Sequence, residues 1–430
     1  MVGVKIRVSD CWGVYYGWII VAVALISMAF WFGIRTSFSV FYVALLEDFP
    51  WSRGETAAVQ SVALITYSIL APLVGGLIDR LGPRRIVGTG ILVLASGLVL
   101  CAFVKTLVQF YLYYGVVMAA GITCISIVSY SAILANWFEK KRGLASGIAV
   151  SGMGVGTFFL VPLSQYFIEL WGWRITFVGL GGLVLIILFP LVVIFLRHRP
   201  QELGLMPDGL RGDEGLNNSL LGSMEPERPE MDWTFKKALE AKSFWALLGL
   251  ILFAMIGVFI VLVHHVKFLV DTGIDKMTVA MVFGLIGIIS SGFRIFWGWL
   301  SDRIGRELAY TMGMICICIG VCSLLLIEPV GARVLVYPFF VFFGIGWGVT
   351  APMFIAAAAD LFKGRIFGLI YGIMEGGVGL GAAFGAWVAG YIFDRAHSYQ
   401  WAFTLALAVF VISGLLMWVA APGKTNQKNA

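Results

Sequence analysis

The sequence predicts an all-α integral membrane protein whose twelve transmembrane helices form two pseudo-symmetric six-helix bundles. Of its 430 residues, 60% are hydrophobic and 13% are charged, whereas a soluble domain averages about 45–50% apolar and about 25% charged residues. Apolar runs of about 20 residues, the length that crosses a bilayer, follow one another along the chain. A charged turn also occurs twice, once around Asp79 and once around Asp302.

The apolar runs fall into two groups of six. Residues 1–196 are predicted to form the N-terminal bundle and residues 243–430 the C-terminal bundle, with a cytoplasmic segment at 197–242 between them. That segment is predicted to contain a linker and then, at 232–242, a short amphipathic helix suited to a membrane surface. The predicted spans are 17–46, 54–79, 86–104, 108–135, 143–170, 174–196, 243–270, 277–301, 307–327, 332–360, 366–393 and 400–421.

An internal repeat supports the division into two halves. The string GGLIDRLGPRR (75–85) follows the second run, and GWLSDRIGR (298–306) follows the eighth. Small residues let membrane helices approach closely, so we expect tight packing where glycines recur. Five glycines of the fifth run recur at one constant spacing in the eleventh, namely Gly143, Gly147, Gly152, Gly154 and Gly156 as Gly368, Gly372, Gly377, Gly379 and Gly381.

The basic residues predict the orientation of the chain. Most of its 30 Lys and Arg residues lie in the segments that share a side with both termini. The positive-inside rule then makes both termini cytoplasmic in a multi-pass protein of the cell inner (plasma) membrane. The net charge of +6 comes from these segments and does not suggest nucleic acid as a partner.

Other classes of site are not predicted. The six cysteines show neither a disulfide pattern nor the spacing of a metal clip, so we interpret them as packing residues. No nucleophile–base arrangement is evident, and we predict neither an enzyme nor a cofactor.

Twelve spans in two halves, with G-x-L-x-D-R-x-G-x-R between the second and third, resemble the major facilitator superfamily. The resemblance implies a secondary transporter in which one bundle rocks against the other. In that family the turn residues form a charge network at the cytoplasmic ends that holds the outward-facing state. The alternative is that they are only positively charged turn residues. The matching positions are Asp79, Arg80, Arg84, Asp302, Arg303 and Arg306.

Several segments narrow the resemblance to one branch. YYGWII, FGIRTSF, NWFEKKRGLASGIAVSGMGVG and RPQELGLMPDG together resemble bacterial members of the monocarboxylate transporter and oxalate–formate antiporter branch. This implies a small organic anion as substrate, such as lactate or pyruvate. Proton coupling and obligatory anion exchange both remain open. A membrane sensor built on a transporter scaffold is a third hypothesis.

Charged residues within the spans are the candidate site, because a charge in the bilayer needs a functional or structural partner. Arg294 lies about 12 Å from the cytoplasmic end of its span, and an arginine on that span binds the substrate anion in the monocarboxylate branch. Its family neighbour, a proton-coupling aspartate, is replaced here by Ser290. Glu375 is predicted at a similar depth, either as a partner of Arg294 and proton carrier or as part of the gating network.

Further candidates are less specific. Arg35 is a second cation for the cavity if the first span continues to residue 46, or an interfacial residue if that span ends near Ile34. His264 matches a histidine in bacterial relatives and is a candidate for anion binding or proton coupling, with an interfacial hydrogen-bonding role as the alternative. Tyr130 and Tyr371 are candidate cavity residues, or bonds between neighbouring helices.

Overall fold

A computed structural model describes residues 15–138, 142–206, 235–331, 333–362 and 367–420. Eleven helical stretches within these ranges are long and apolar enough to cross a membrane. One of them, Ala145–Phe195, is two helices joined at Gly172, whose φ of 79° and ψ of 163° break the helical path. The predicted set of twelve membrane helices is therefore confirmed.

The first six helices follow the predicted spans. The helix α4 is interrupted at Ile125 and Ser126, and α5 and α6 divide at Gly172 within Arg142–Leu183. The bounds are Tyr16–Asp48 for α1, Arg53–Leu81 for α2, Pro83–Cys101 for α3, Leu107–Phe110, Tyr111–Met118, Ala119–Cys124 and Ile127–Trp137 for α4, and Val184–Leu188 with Phe189–Phe195 for the remainder of α6.

The last six helices repeat this arrangement. A short helix, Phe235–Glu240, lies within the predicted amphipathic segment and buries Ala238 while exposing Lys236 and Lys237. The bounds that follow are Lys242–Asp271 for α7, Lys276–Ile304 for α8, Arg306–Val330 for α9, Val336–Gly348 with Thr350–Phe362 for α10, Phe367–Ala396 for α11 and Gln400–Ala420 for α12.

Two pairs of helices carry most of the packing between the halves. Helix α2 packs along α11, and α5 packs along α8. Within each half, α1 packs on α5 and α7 packs on α11, as the sequence repeat requires. The contact of α2 with α11 includes a hydrogen bond of 2.6 Å from Ser61 Oγ to the Ala383 carbonyl.

Glycines of the repeat permit the close approach between the halves. A Cβ at Gly154 would overlap Ser291 Oγ on α8, and a Cβ at Gly379 would overlap Ser68 Oγ on α2. The expectation does not hold along the whole repeat, because a Cβ at Gly147 or Gly372 would meet no atom within 4 Å. Close packing is thus concentrated at the middle of these helices.

Candidate functional site

Arg35 lies inside α1, because that helix continues to Asp48. The alternative in which the first span ends near Ile34 is therefore wrong. The guanidinium is surrounded by aromatic rings, and one of them comes from the opposite half. Such rings stabilise a cation that has left water. Arg35 Cζ lies 5.9 Å from the centroid of Trp31, 5.9 Å from Phe32, 5.8 Å from Tyr67 and 5.2 Å from Phe259.

Polar atoms around Arg35 are buried without partners among the described residues. They are Arg35 Nε, Trp31 Nε1, Gln60 Oε1 and the Tyr114 hydroxyl. Two small cavities flank the guanidinium, and Arg35 and Gln60 line both. Each has room for about one water molecule. Buried polar groups almost always have a partner, so this cluster has the character of a binding site.

Glu375 is the acid that acts on this cluster. Its carboxylate accepts a hydrogen bond of 2.8 Å from the Tyr371 hydroxyl one helical turn away. It attracts Arg35 electrostatically, but no described carboxylate lies within ion-pair distance of Arg35. Helix α11 thus carries an acid within electrostatic range of the arginine on α1, but this acid does not neutralise the arginine by contact.

Arg294 has different surroundings from those we expected. Its Nη1 lies 3.4 Å from Met153 Sδ, its Cζ lies 5.6 Å from the Trp347 ring, and its Nε is buried without a partner. The predicted ion pair with Glu375 is not present among the described residues, and that carboxylate accepts a hydrogen bond from Tyr371 instead. The guanidinium fork of Arg294 therefore has no anionic partner in the part of the chain that the structure describes.

An aromatic pair connects the two arginines. The rings of Phe32 on α1 and Trp347 on α10 lie 5.8 Å apart and belong to opposite halves. Arg35 lies over Phe32, and Arg294 lies over Trp347. A chain of two aromatic rings thus runs between the two cations, although nothing in the sequence links Trp347 to either of them.

His264 lies away from the cavities around Arg35. Its Nε2 lies 2.8 Å from the Ala386 carbonyl and its Nδ1 lies 3.3 Å from the Tyr399 hydroxyl. Because a carbonyl only accepts, Nε2 must carry the proton and Nδ1 must accept from Tyr399. Burial raises the pKa of the Tyr399 phenol to about 12, which keeps it a donor at neutral pH. Both ring nitrogens are therefore engaged by protein groups, which favours the alternative hydrogen-bonding role for His264.

Of the two tyrosine candidates, Tyr130 lies in a contact between helices and Tyr371 lies beside Glu375. The Tyr130 hydroxyl lies 2.5 Å from Ser27 Oγ on α1 and is fully buried. It joins two helices of one half, which is the alternative role considered above. Tyr371 instead lies beside Glu375.

A cluster at the predicted outer end joins the two halves, and we call it the outer closure. It consists of Glu47, Arg53, Gly54, Asp271, Lys276 and Asp394. Arg53 pairs with Asp271 at 2.7 Å, and Lys276 pairs with Glu47 at 2.7 Å. The Asp394 carboxylate accepts the backbone N–H groups of Arg53 and Gly54 at 2.9 and 2.8 Å. These donors begin α2, where free N–H groups and the helix dipole favour an anion.

Sequence reasoning missed the outer closure. The Ser52–Glu55 capping box marks the start of α2, and it was the only available signal of this end. Nothing along the chain indicates that Asp394, more than 300 residues later, supplies the anion.

The gating-motif residues lie at the opposite end. Arg306 Nη1 lies 2.5 Å from Asp302, and its Nε lies 3.1 Å from Asp360 on α10. These contacts stay within one half, as does the hydrogen bond from Arg84 to the Val193 carbonyl. Arg303 stacks over Trp299 at 4.3 Å. The side chains of Asp79 and Arg80 lie outside the described residues.

Comparison with known proteins agrees with this architecture. The family model of the Major Facilitator Superfamily matches residues 19–370 and 348–430, so the chain belongs to that superfamily and is a multi-pass membrane transporter.

The chain is similar to named members of one group. It is 26% identical to monocarboxylate transporter 13 of Rattus norvegicus, over 95% of this chain and 89% of that protein. It is 23% identical to monocarboxylate transporter 2 of Mesocricetus auratus, over 94% of this chain and 84% of that protein.

Solved structures share the fold. A D-xylose–proton symporter superposes with a TM-score of 0.73 at 17% identity, covering 94% of this chain and 98% of that one. A bacterial homologue of the human lysosomal transporter Spinster has a TM-score of 0.69 at 14% identity, covering 95% and 97%.

Proposed function

We propose that the protein is a secondary transporter of small organic anions, in particular monocarboxylates such as lactate or pyruvate, that works by alternating access. The observation that carries the proposal is Arg35. Its guanidinium is partly buried between the two halves, its Nε has no partner, and no described carboxylate pairs with it.

The energetics favour an anion as the missing partner. A charge at mid-bilayer costs roughly 2.5–3.5 kcal/mol on insertion scales, and the rings around Arg35 offset only about 0.5–2 kcal/mol of such a cost. A carboxylate matches the planar fork of a guanidinium with two parallel hydrogen bonds. A substrate carboxylate would therefore complete a site that the protein leaves incomplete.

Arg294 supplies the second cationic position. It lies nearer the predicted cytoplasmic end than Arg35, and the Phe32–Trp347 pair connects the two. In this proposal the anion meets Arg294 on the cytoplasmic side and Arg35 deeper between the halves. The names of the rat and hamster relatives support a monocarboxylate as that anion.

Glu375 is the proposed proton carrier in a coupled cycle. Its carboxyl is held by Tyr371 and interacts electrostatically with Arg35, so protonation would change the charge that the substrate meets. His264 has both ring nitrogens engaged beside the outer closure, and it is therefore the weaker of the two candidates.

Anion exchange is the second candidate function. It is favoured by Arg35 and Arg294, neither of which contacts a carboxylate of the described residues, because an empty site with uncompensated positive charge resists reorientation across the membrane. An exchanger needs no proton carrier, so the effect of replacing Glu375 distinguishes the two mechanisms.

The test is a ligand screen on purified protein. Because a ligand that binds the native state raises its apparent stability, lactate and pyruvate should raise the melting temperature. Arg35→Gln should weaken the binding about 10- to 100-fold, the effect of losing a charged hydrogen bond. Arg174→Gln is the matched control, since Arg174 is exposed and pairs with Asp48 in its own half. No stabilisation by any carboxylate, together with no uptake into proteoliposomes, would refute the proposal.

A further inference from the structure

Two buried polar groups beside Arg35 have no role in the binding of a carboxylate alone. Gln60 on α2 is 2% exposed and Tyr114 on α4 is 1% exposed. Gln60 Oε1 and the Tyr114 hydroxyl are both buried without a hydrogen-bond partner among the described residues. Leaving such groups unsatisfied in the core is unfavourable, so a ligand that bonds them would be bound the more tightly.

Their position points to the space next to the substrate carboxylate. Arg35 and Gln60 line both small cavities, and Tyr114 lines the second one with them. Phe38 and Phe110 pack against the Tyr114 ring with centroids at 5.2 and 5.4 Å. The rings hold the phenol in place, so its hydroxyl position is set by the core and not by a protein partner.

We propose that Gln60 and Tyr114 form a subsite for a second oxygen of the substrate, a hydroxyl or keto oxygen on the carbon next to the carboxylate bound by Arg35. An amide accepts from a hydroxyl through its oxygen and donates to a keto oxygen through its nitrogen. The Tyr114 hydroxyl can likewise donate or accept. The subsite thereby selects 2-hydroxy and 2-oxo acids over unsubstituted acids of the same length.

This inference rests on the proposed function and gives it a narrower substrate class. A site built to bond a substrate oxygen rejects the analogue that lacks it, because the site's own polar groups are then left unpaired. The second cavity has room for about one water-sized group, which matches a single oxygen. Beside Arg35, Gln60, Tyr114 and Tyr67, the lining of this cavity is apolar and includes Ala63, Leu64 and Met118.

The experiment compares lactate with propionate, which differ only in the 2-hydroxyl group, in proteoliposome uptake. Wild-type protein should prefer lactate. Tyr114→Phe and Gln60→Met each remove the polar group and keep the bulk, and each should lower the lactate-to-propionate ratio about two- to tenfold. The change should appear in the KM for lactate while propionate uptake persists, which also shows that the variant is folded.

Tyr310→Phe is the matched control. Tyr310 is also fully buried, but its hydroxyl lies 2.6 Å from Ser413 Oγ in the other half. The lactate-to-propionate ratio of Tyr310→Phe should therefore equal that of wild type. Equal transport of both acids by wild type, or unchanged ratios in both variants, would overturn the subsite alone. If wild type carries no organic acid, the proposed function falls and the subsite falls with it.

Discussion

Arg294 presents a guanidinium fork whose Nε has no partner. Arg294→Lys keeps the charge but not the fork, and Arg294→Ala removes both. We expect strongly impaired lactate or pyruvate transport in the first variant and none in the second. Uptake into membrane vesicles measures this, normalised to the amount of protein in the membrane. Transport by Arg294→Ala at the wild-type rate would rule out the role.

Glu375 and His264 distinguish coupled transport from exchange. Glu375→Gln cannot exchange a proton, so we expect equilibrium exchange of substrate to persist while accumulation driven by a pH gradient is lost. His264→Ala should keep both activities, because its ring nitrogens bond Ala386 and Tyr399 and not the cavity.

The two activities are measured separately in proteoliposomes. Gradient-driven uptake retained in Glu375→Gln would remove that residue as the carrier. Gradient-driven uptake lost only in His264→Ala would transfer the role to the histidine. A wild-type protein that shows exchange alone would support the antiporter.

At the scale of helices, α11 slides or separates against α2 during the proposed cycle. A Cβ at Gly379 would overlap Ser68 Oγ on α2, whereas a Cβ at Gly372 on the same helix would meet nothing. Gly379→Ala should therefore destabilise the packed arrangement by about 1–3 kcal/mol, and Gly372→Ala should not.

Transport rate and cysteine accessibility at the predicted outer end measure this effect. Gly379→Ala should slow transport and raise labelling of cysteines placed on the cavity face near Ser61. Adding Ser68→Gly to Gly379→Ala should restore the transport rate and the labelling, since it removes the overlapping atoms. Equal behaviour of Gly379→Ala and Gly372→Ala would show that this contact does not limit the motion.

At the scale of the whole molecule, we expect the outer closure to stabilise one of the two access states of the proposed cycle. Asp394→Asn keeps the shape but loses the negative charge at the start of α2. The loss of two charge-assisted hydrogen bonds, worth about 1.5–3 kcal/mol each, should shift the population toward states open at this end. Asp48→Asn is the control, because Asp48 bonds Trp173 and Arg174 in its own half.

Asp79→Asn is predicted to shift the population of access states in the direction opposite to Asp394→Asn. If the family's gating network operates here, Asp79→Asn weakens the cytoplasmic lock of the outward-facing state and favours the closed outer end. Cysteine labelling from each side of the membrane measures both variants. Asp394→Asn should raise labelling from the outer side and Asp79→Asn should lower it. Unchanged labelling for Asp79→Asn on both sides would contradict the lock.

Much of the fold was predictable, because membrane helices are specified locally. A span must be long and apolar, so the twelve runs and their order follow from hydropathy alone. The repeated turn and glycines indicated the two similar halves. The break between α5 and α6 falls at Gly172, which has a positive φ, between the predicted spans 143–170 and 174–196.

The candidate site was predictable only in part. A charge in an apolar run is visible from composition, which is why Arg35, Arg294 and Glu375 were identified. Their partners were not visible. We expected an Arg294–Glu375 pair because the two residues have similar estimated depths in the membrane. Depth, however, does not determine the direction in which a side chain points. In the structure the Glu375 carboxylate is hydrogen-bonded to Tyr371 on its own helix, and no ion pair with Arg294 forms among the described residues.

The sequence alone determined the number, length and order of the helices, the internal repeat and the superfamily, since these depend on residues that are near one another in the chain. Only the tertiary structure decided which residues meet. It placed Gln60 and Tyr114 beside Arg35, and it placed Asp394 at the start of α2. The physical reason is that helix rotation and the docking of the two halves minimise voids and unsatisfied groups over the whole molecule, and no local pattern records that result.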